Sequence, residues 1–179
     1  MDSKVYEDYA KLLLPRAVGY SAGLLNYFFR GTLEITAPDT YVYSIIDGSI
    51  NPQQFTKIKA KVRNTTPNEQ IQNGFLQAVA KYKKRTDYQP DLSTDPPTQT
   101  SREPEFSYSV SASVTITSLS STDPAEFTFD FTGSPLPAGI TDLYLFVVFK
   151  GTLGNEVDNA IAAGMKDIIE PTHHVIWNL

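Results

Sequence analysis

Cysteine is absent from this chain of 179 residues, which also has only two histidines, two methionines and one tryptophan. Without cysteine, disulfide bonds, thiol catalysis and zinc sites built on thiolates are excluded. No run of about 18 apolar residues occurs, so no membrane span is predicted. The first residues lack the basic region and the apolar stretch of a signal peptide. The chain is then either a cytosolic protein or a segment of a longer exported protein, located in the periplasm or outside the cell. Because a helix is predicted almost from the first residue, the second interpretation is favoured.

Positive charge is scarce in the second half of the chain. Residues 1–90 carry 12 Lys and Arg against 8 Asp and Glu, whereas residues 91–179 carry 3 against 12. The formal net charge is −5. A uniformly basic nucleic-acid-binding protein does not have this distribution, so no nucleic-acid partner is predicted.

Aromatic residues are plentiful, with ten Tyr and ten Phe, and twelve prolines punctuate the chain. This composition favours short strands joined by tight turns. In Phe55–Arg63, Ile58, Ala60 and Val62 alternate with three lysines and Arg63, which predicts a strand with one buried face. A second strand is predicted at Phe75–Lys84, joined to the first by a long hairpin loop.

Alternation continues in the second half of the chain. Phe106–Thr117 alternates six apolar residues with six Ser or Thr, which predicts one strand with its apolar face in the core. Leu143–Phe149 is apolar on both faces, as is typical of a central strand. Glu156–Ile169 is ambiguous between helix and strand. Further short strands are predicted at Leu33–Ile35, Tyr41–Ile46 and Phe127–Phe131. With seven to nine strands in all, the predicted fold is mainly β, an immunoglobulin-like β-sandwich with an N-terminal helical segment.

Residues 3–29 read as helical, with a kink or a break expected at Pro15. We therefore divide the chain into a helical lead-in at 1–30 and a β-sandwich domain at 31–179, with a proline-containing loop or linker at 86–105. The second part of the helix is apolar almost all round, so something must cover it. Packing on the sheet of this chain is the favoured interpretation, and docking on a neighbouring domain is the alternative.

The polar stretch at 151–159 is the candidate metal site. Glu156 and Asp158, with Asn155 and Asn159, offer the hard oxygen donors that calcium prefers. Asp167 and Glu170 are possible additions if the chain folds back. The competing interpretation is a solvated turn whose side chains bond their own backbone.

Other candidate features are weaker. The basic ridge, defined as Lys57, Lys59, Lys61 and Arg63, would attract polyanions if the strand at 75–84 added its lysines beside it. On a strand, His173 and His174 would point to opposite faces, which does not suit one metal ion. The loop at 133–139 is either a recognition surface or a bridge between sheets. Asn64-Thr65-Thr66 matches an N-glycosylation sequon, and Trp177 is expected at an edge.

Two stretches carry a family resemblance. Residues 14–31, LPRAVGYSAGLLNYFFRG, resemble a helix-to-strand junction in large exported bacterial proteins of unknown function. Residues 142–168 resemble the distal part of the same proteins, and the two stretches cover about a quarter of the chain. The resemblance implies a C-terminal accessory region and carries over no functional residue.

These observations predict a non-catalytic accessory or interaction module of a larger exported or surface protein, whose partner is a neighbouring domain or protein. The alternative is a calcium-assisted carbohydrate-binding module that uses Glu156 and Asp158, with a glycan as partner. A hydrolase with an unrecognised acidic pair is the third hypothesis, and it requires two facing carboxylates in a cleft.

Overall fold

The fold was analysed in a computed structural model, which describes residues 3–28, 30–46, 51–84, 90–91, 98–99 and 105–168. One helix, α1 (Ser3–Phe28), precedes the strands. The strands are β1 (Gly31–Thr36), β2 (Gln54–Phe55), β3 (Lys57–Asn64), β4 (Ile71–Lys84), β5 (Pro90–Asp91), β6 (Thr98–Gln99), β7 (Ser107–Val110), β8 (Val114–Leu119), β9 (Ala125–Asp130), β10 (Leu136–Pro137), β11 (Ile140–Leu153) and β12 (Glu156–Asp167). The prediction of a mainly β chain with an N-terminal helix is confirmed.

The main sheet has the strand order β7-β4-β11-β12-β1-β3-β9, and β8 also pairs with β4. Strand β1 changes partner along its length. Its first two residues, Gly31 and Thr32, pair in parallel with β12, and the rest pairs antiparallel with β3. β2 and β10 form a separate two-stranded ladder, as do β5 and β6.

The buried core contains inward side chains from one end and from the middle of this strand order. Ile58 and Phe129 come from the β3 and β9 end, and Leu145 and Phe149 come from the central strand β11. None of these four side chains is more than 1% exposed. Burying a residue of this size contributes roughly 1.5–3 kcal/mol relative to exposure, so these strands supply much of the stability.

The strand at Phe75–Lys84 is longer than predicted and pairs differently. It begins at Ile71 and lies between β11 on one side and β7 and β8 on the other. The predicted long hairpin with Phe55–Arg63 is wrong, because β3 pairs with β1 and β9 instead. Two adjacent strands in sequence are therefore separated in the sheet, as in Greek-key connections.

Two other predictions are corrected by the structure, and one ambiguity is resolved. Residues 41–46 form no strand; their one backbone hydrogen bond to β3 runs from the Lys59 N–H to the Tyr43 carbonyl. Pro15 lies inside a single uninterrupted helix, so the predicted break into two helices is wrong. The ambiguous stretch from Glu156 is a strand, paired with β11 over most of its length. Within the predicted 86–105 linker, β5 and β6 pair with each other, and much of the rest lies outside the described residues.

The predicted strand Phe106–Thr117 is divided into β7 and β8. In its first half the face predicted to be buried is exposed, and the face predicted to be exposed is buried. Ser109 and Ser111 are buried, whereas Tyr108 and Val110 are exposed. The buried hydroxyls have partners, because Ser111 Oγ accepts from the Ala78 N–H at 2.9 Å and Ser109 Oγ lies 3.4 Å from the Tyr82 hydroxyl. In β8 the predicted orientation holds, since Ile116 is buried.

Candidate functional site

The predicted metal residues lie beside the turn that joins β11 and β12. Leu153 pairs with Glu156 across this hairpin, and Gly154 has the positive φ that such tight turns require. The Glu156 carboxylate forms an ion pair with Arg30, with 3.2 Å between Oε2 and Nη2. Asp158 is exposed, and its N–H lies 3.4 Å from Thr152 Oγ1.

Arg30 occupies the centre of this group of oxygen atoms. Its Nε lies 3.3 Å from Glu69 Oε2, and its Nη2 donates to the Leu153 carbonyl at 3.3 Å. Two carboxylates and a carbonyl around one guanidinium are the donors that a calcium ion would otherwise take. No group of three or more Asp, Glu or His side chains suited to a metal occurs in the part of the chain that the structure describes. The calcium site at Glu156 and Asp158 stays a prediction.

Arg30 could not be predicted as a site residue from the sequence, because a single arginine before a glycine belongs to no recognisable motif. Its partners come from two separate places in the chain: Glu69 lies in the loop before β4, and Leu153 and Glu156 flank the β11–β12 hairpin. The residue sits between α1 and β1, so these contacts hold the point where the helix joins the sheet. Arg30 therefore fixes the helix-to-strand junction.

We expect millimolar calcium to leave the melting temperature of this chain unchanged, because Glu156 is already paired with Arg30. The measurement is thermal unfolding by circular dichroism with calcium and with magnesium. A calcium-specific rise would contradict this expectation. If the rise disappeared in Glu156→Gln and Asp158→Asn, it would establish the predicted site.

The basic ridge is compensated by acidic neighbours. Arg63 forms an ion pair with Glu34 of β1, and Lys61 forms one with Asp39. Lys59 lies 3.7 Å from Glu126 of β9. The hydrogen bond from Arg63 lowers the pKa of the Glu34 carboxyl, and the hydrogen bond with Asp39 raises the pKa of Lys61. Because these exposed pairs cancel most of the charge, the ridge does not present a strong field to a polyanion.

The lysines expected to enlarge this ridge lie elsewhere. Lys81 and Lys83 are on β4, where their ammonium groups lie 4.1 Å and 4.8 Å from the centre of the Phe106 ring. Lys83 also lies 3.8 Å from the Asp142 carboxylate. The ring and the carboxylate stabilise these cations locally, so they do not form one surface with β3.

The structure also decides between interpretations for two further candidates, the sequon at Asn64 and the loop at 133–139. Asn64 of the sequon is 1% exposed, and its Nδ2 donates to the Glu69 carbonyl at 2.7 Å, so it is not accessible for glycosylation in the folded chain. In the loop at 133–139, Leu136 is fully buried and pairs with β2, which favours the bridging interpretation. His173, His174 and Trp177 lie outside the described residues.

The most prominent exposed apolar surface belongs to α1. The described side chains of the helix, at positions 4, 6, 7 and 9–21, are all exposed. The favoured interpretation that the helix packs on its own sheet is wrong for these positions. Large apolar side chains are among them, each more than half exposed: Tyr6, Tyr9, Leu12, Leu13, Leu14, Val18 and Tyr20. No helix among the described residues has both the length and the apolar character needed to cross a membrane.

A second apolar surface is the side of the sheet that faces away from the core. We define this outer face by one row across four strands, Val110, Val79, Phe146 and Met165, which are neighbours in the ladder. Val110 is 46% and Met165 is 58% exposed, while Val79 and Phe146 are half-buried. In the next row, Val148 and Ala163 continue it. This surface explains why β11 is apolar on both sides.

The candidate site is thus a pair of apolar surfaces, one on α1 and one on the outer face. Buried apolar area is the main favourable contribution to protein association, so exposed surfaces of this kind are typical of interaction sites. Comparison with protein-family models, curated proteins and solved structures found no match to this chain.

Proposed function

We propose that this chain is a non-catalytic interaction module of a larger exported or surface-associated bacterial protein, in which α1 attaches the β-rich part to a neighbouring domain or protein. The observation that carries the proposal is the exposure of every described α1 side chain from position 9 to position 21. A helix with this many apolar residues gains stability when it is covered. The exported setting rests on the sequence resemblance alone.

The distribution of residues along α1 supports attachment on one side. In its first half, Tyr6, Tyr9 and Leu13 follow the spacing of one helical face, whereas Lys4, Glu7, Asp8 and Lys11 fall on the other side. Residues 17–28 contain no charged side chain. The polar side of the first half then remains in water while the apolar side contacts the partner.

Arg30 gives the attached helix a defined geometry. Only residues 29 and 30 separate α1 from β1, and Arg30 is held by Glu69, Glu156 and the Leu153 carbonyl. A short connection with one fixed residue transmits the orientation of the helix to the sheet. This is the property that a docking or spacing module needs.

The proposal includes an immunoglobulin-like sandwich. In that fold, the first, second and fifth strands share one sheet, and the third, sixth and seventh share the other. Here β1, β3 and β9 are paired in one group, and β4, β11 and β12 in the other. This grouping supports the immunoglobulin-like order when the short β2, β5, β6 and β10 are set aside and β7 and β8, which both pair with β4, are counted together as the fourth strand. The shared core of both groups further supports two facing layers.

Site-specific labelling tests the attachment surface, and the absence of cysteine makes each introduced thiol unique. We expect Leu13→Cys in dilute monomer to react with a maleimide nearly as fast as Tyr41→Cys, an exposed control. Ala78→Cys, at a fully buried position, is expected to react about 100-fold more slowly because labelling requires opening of the core.

The labelling result also decides against the proposal if it comes out the other way. Should Leu13→Cys react as slowly as Ala78→Cys in the monomer, α1 is covered by its own chain and offers no attachment surface. Circular dichroism of each variant confirms that the strand content is unchanged.

The calcium-assisted carbohydrate-binding alternative receives less support from the geometry. The carboxylate of Glu156 is paired with Arg30, and Asp158 is exposed on the strand after the turn. A calcium ion at this place would have to displace a guanidinium that already satisfies both Glu156 and Glu69. The calcium titration described above separates the two functions.

A further inference from the structure

We infer that the partner of α1 is a second copy of this chain, whose outer face receives the helix in a reciprocal dimer. The inference rests on the proposed function and names its partner. Both surfaces that such a contact requires are present in one chain: the apolar side chains of α1 and the row Val110, Val79, Phe146 and Met165. A symmetric dimer covers both surfaces on both copies and leaves none for a third.

The dimensions of the two surfaces agree. A helix of 26 residues is about 39 Å long at 1.5 Å per residue. Strands β4 and β11 have 14 residues each, or about 46 Å at 3.3 Å per residue. The strands are therefore long enough for the helix to lie along them, where it crosses the row at Val79 and Phe146.

The chain's own helix is poorly placed to cover its own outer face. β1 begins parallel to β12, and Arg30 contacts the β11–β12 hairpin, so the chain enters the sheet from the hairpin end. A helix that returned over the same sheet would have to reverse direction within residues 29 and 30. That length is the lower limit of about two to six residues for such connections, and Arg30 is already held.

The area of the reciprocal contact matches that of a stable dimer. Two helix-on-sheet contacts, each about 39 Å long and about 10 Å wide, bury on the order of 1,600 Å² in total. This is the standard size of a specific interface. A helix bound to a smaller surface on one side only would bury half as much.

Charged groups at the border of the outer face suit the charges on α1. Lys81 and Lys150 lie on the outward side of β4 and β11. The helix carries Glu7 and Asp8 as well as Lys11 and Arg16. Glu7 and Asp8 of one copy can therefore pair with lysines at the border of the other copy's outer face.

Light scattering after size exclusion over a micromolar concentration series tests the dimer. We expect the mass to rise from that of one 19.9 kDa chain to twice that value. Leu13→Lys on the helix and Met165→Lys on the outer face each place a charge in the contact and are expected to weaken the dimer at least about tenfold. Tyr41→Lys, at an exposed position outside both surfaces, is the matched control and is expected to dimerise normally.

Cross-linking then tests which surfaces meet. A chain with Leu13→Cys is mixed with a chain with Val110→Cys and treated with a short bis-maleimide. We expect the mixed product to exceed both self-products, because the helix of one copy lies on the sheet of the other. A dimer that survives Met165→Lys and cross-links only through Leu13→Cys pairs helix with helix, which overturns the outer-face contact.

The monomer outcome separates this inference from the proposed function. A monomer at every concentration overturns the second copy as partner. If Leu13→Cys still reacts rapidly in that monomer, the attachment surface stands and its occupant is another protein. If phosphatidylcholine vesicles protect Leu13→Cys instead, the helix binds a lipid surface and the dimer is likewise overturned.

Discussion

Gly164→Ala is expected to lower the free energy of unfolding by about 3 kcal/mol, because β1 and β12 approach too closely at this point for a side chain. A Cβ atom on Gly164 would overlap the carbonyl oxygen of Leu33 and lie 3.1 Å from the Leu33 Cβ. Leu33 is the residue at which β1 leaves β12 and begins to pair with β3. The glycine thus permits the change of partner that joins the two groups of strands.

Gly31 of β1 lies at the same close approach of β1 to β12, on the opposite strand from Gly164. A Cβ atom there would lie 2.6 Å from the Ala162 Cβ and 2.7 Å from the Ile161 carbonyl oxygen. The Ile161 carbonyl belongs to the backbone of the paired strand β12, and the Ala162 Cβ is attached directly to it, so neither atom can move away without disturbing the hydrogen bonds of the ladder. We expect Gly31→Ala to be destabilising for the same reason, and the double variant to lose less than the sum of the two changes because both disturb one crossing.

Urea unfolding followed by circular dichroism measures these effects. Gly133→Ala is the matched control, since a Cβ atom at Gly133 would meet nothing within 4 Å. If Gly164→Ala were as stable as Gly133→Ala, the close approach of β1 to β12 would be wrong. The change of partner by β1, and the proposed sandwich that depends on it, would then lose their support.

The elements of this fold are predictable from the sequence where one local signal dominates. Alternation identifies β3, because its inward residues Ile58, Ala60 and Val62 are aliphatic and its outward residues are charged. The end of α1 is predictable because Gly31 follows the last apolar run. In these segments, local pattern and burial agree.

Alternation fails where both faces of a strand are apolar or where polar residues are buried. In β7 the alternation correctly divides the residues between two faces, but it predicts that the apolar face is buried, whereas the serine face is buried. The hydroxyls of Ser109 and Ser111 find partners in Tyr82 and Ala78, and this removes the penalty for burying them. Tyr108 and Val110 are then free to join the outer face, which only the register of β4, β7 and β11 reveals.

Strand pairing and the site depend on contacts between distant parts of the chain. The basic ridge is visible in the sequence, but the carboxylates that neutralise it come from Glu34, Asp39 and Glu126. In the same way, the acidic stretch around Glu156 suggests a cation, and the structure supplies Arg30 from 126 residues earlier. A sequence pattern can therefore indicate that a charge needs a partner without indicating which residue provides it.

Asn64→Ala is expected to lower the free energy of unfolding by about 2–4 kcal/mol, because it leaves the buried Thr66 N–H and the part-buried Glu69 carbonyl without their side-chain partner. The Asn64 Nδ2 donates to the Glu69 carbonyl at 2.7 Å, and its Oδ1 accepts from the Thr66 N–H at 2.9 Å. Thr66 Oγ1 in turn accepts from the Thr32 N–H at 2.9 Å. The Asn64 amide thus ties the end of β3 to the loop before β4, and Thr66 of that loop continues the network to Thr32 of β1.

This network also bears on the attachment of the helix. Glu69, whose carbonyl Asn64 holds, presents its carboxylate to Arg30. Loss of the amide therefore loosens one of the contacts that orient α1, and we expect Asn64→Ala to quicken hydrogen exchange at Arg30 and Gly31 as well as to lower stability.

Thr65→Ala is the matched control, because Thr65 is exposed and its hydroxyl contacts only the Thr32 hydroxyl, at 3.1 Å. Asn64→Asp separates the two hydrogen bonds: the carboxylate keeps an acceptor for the Thr66 N–H but brings a negative charge towards the Glu69 carbonyl, so it should destabilise as much as alanine or more. Urea unfolding that finds Asn64→Ala within about 0.5 kcal/mol of Thr65→Ala would mean that the amide is solvated. The sequon would then be open to modification, and the anchoring of Arg30 through Glu69 would have to come from the ion pair alone.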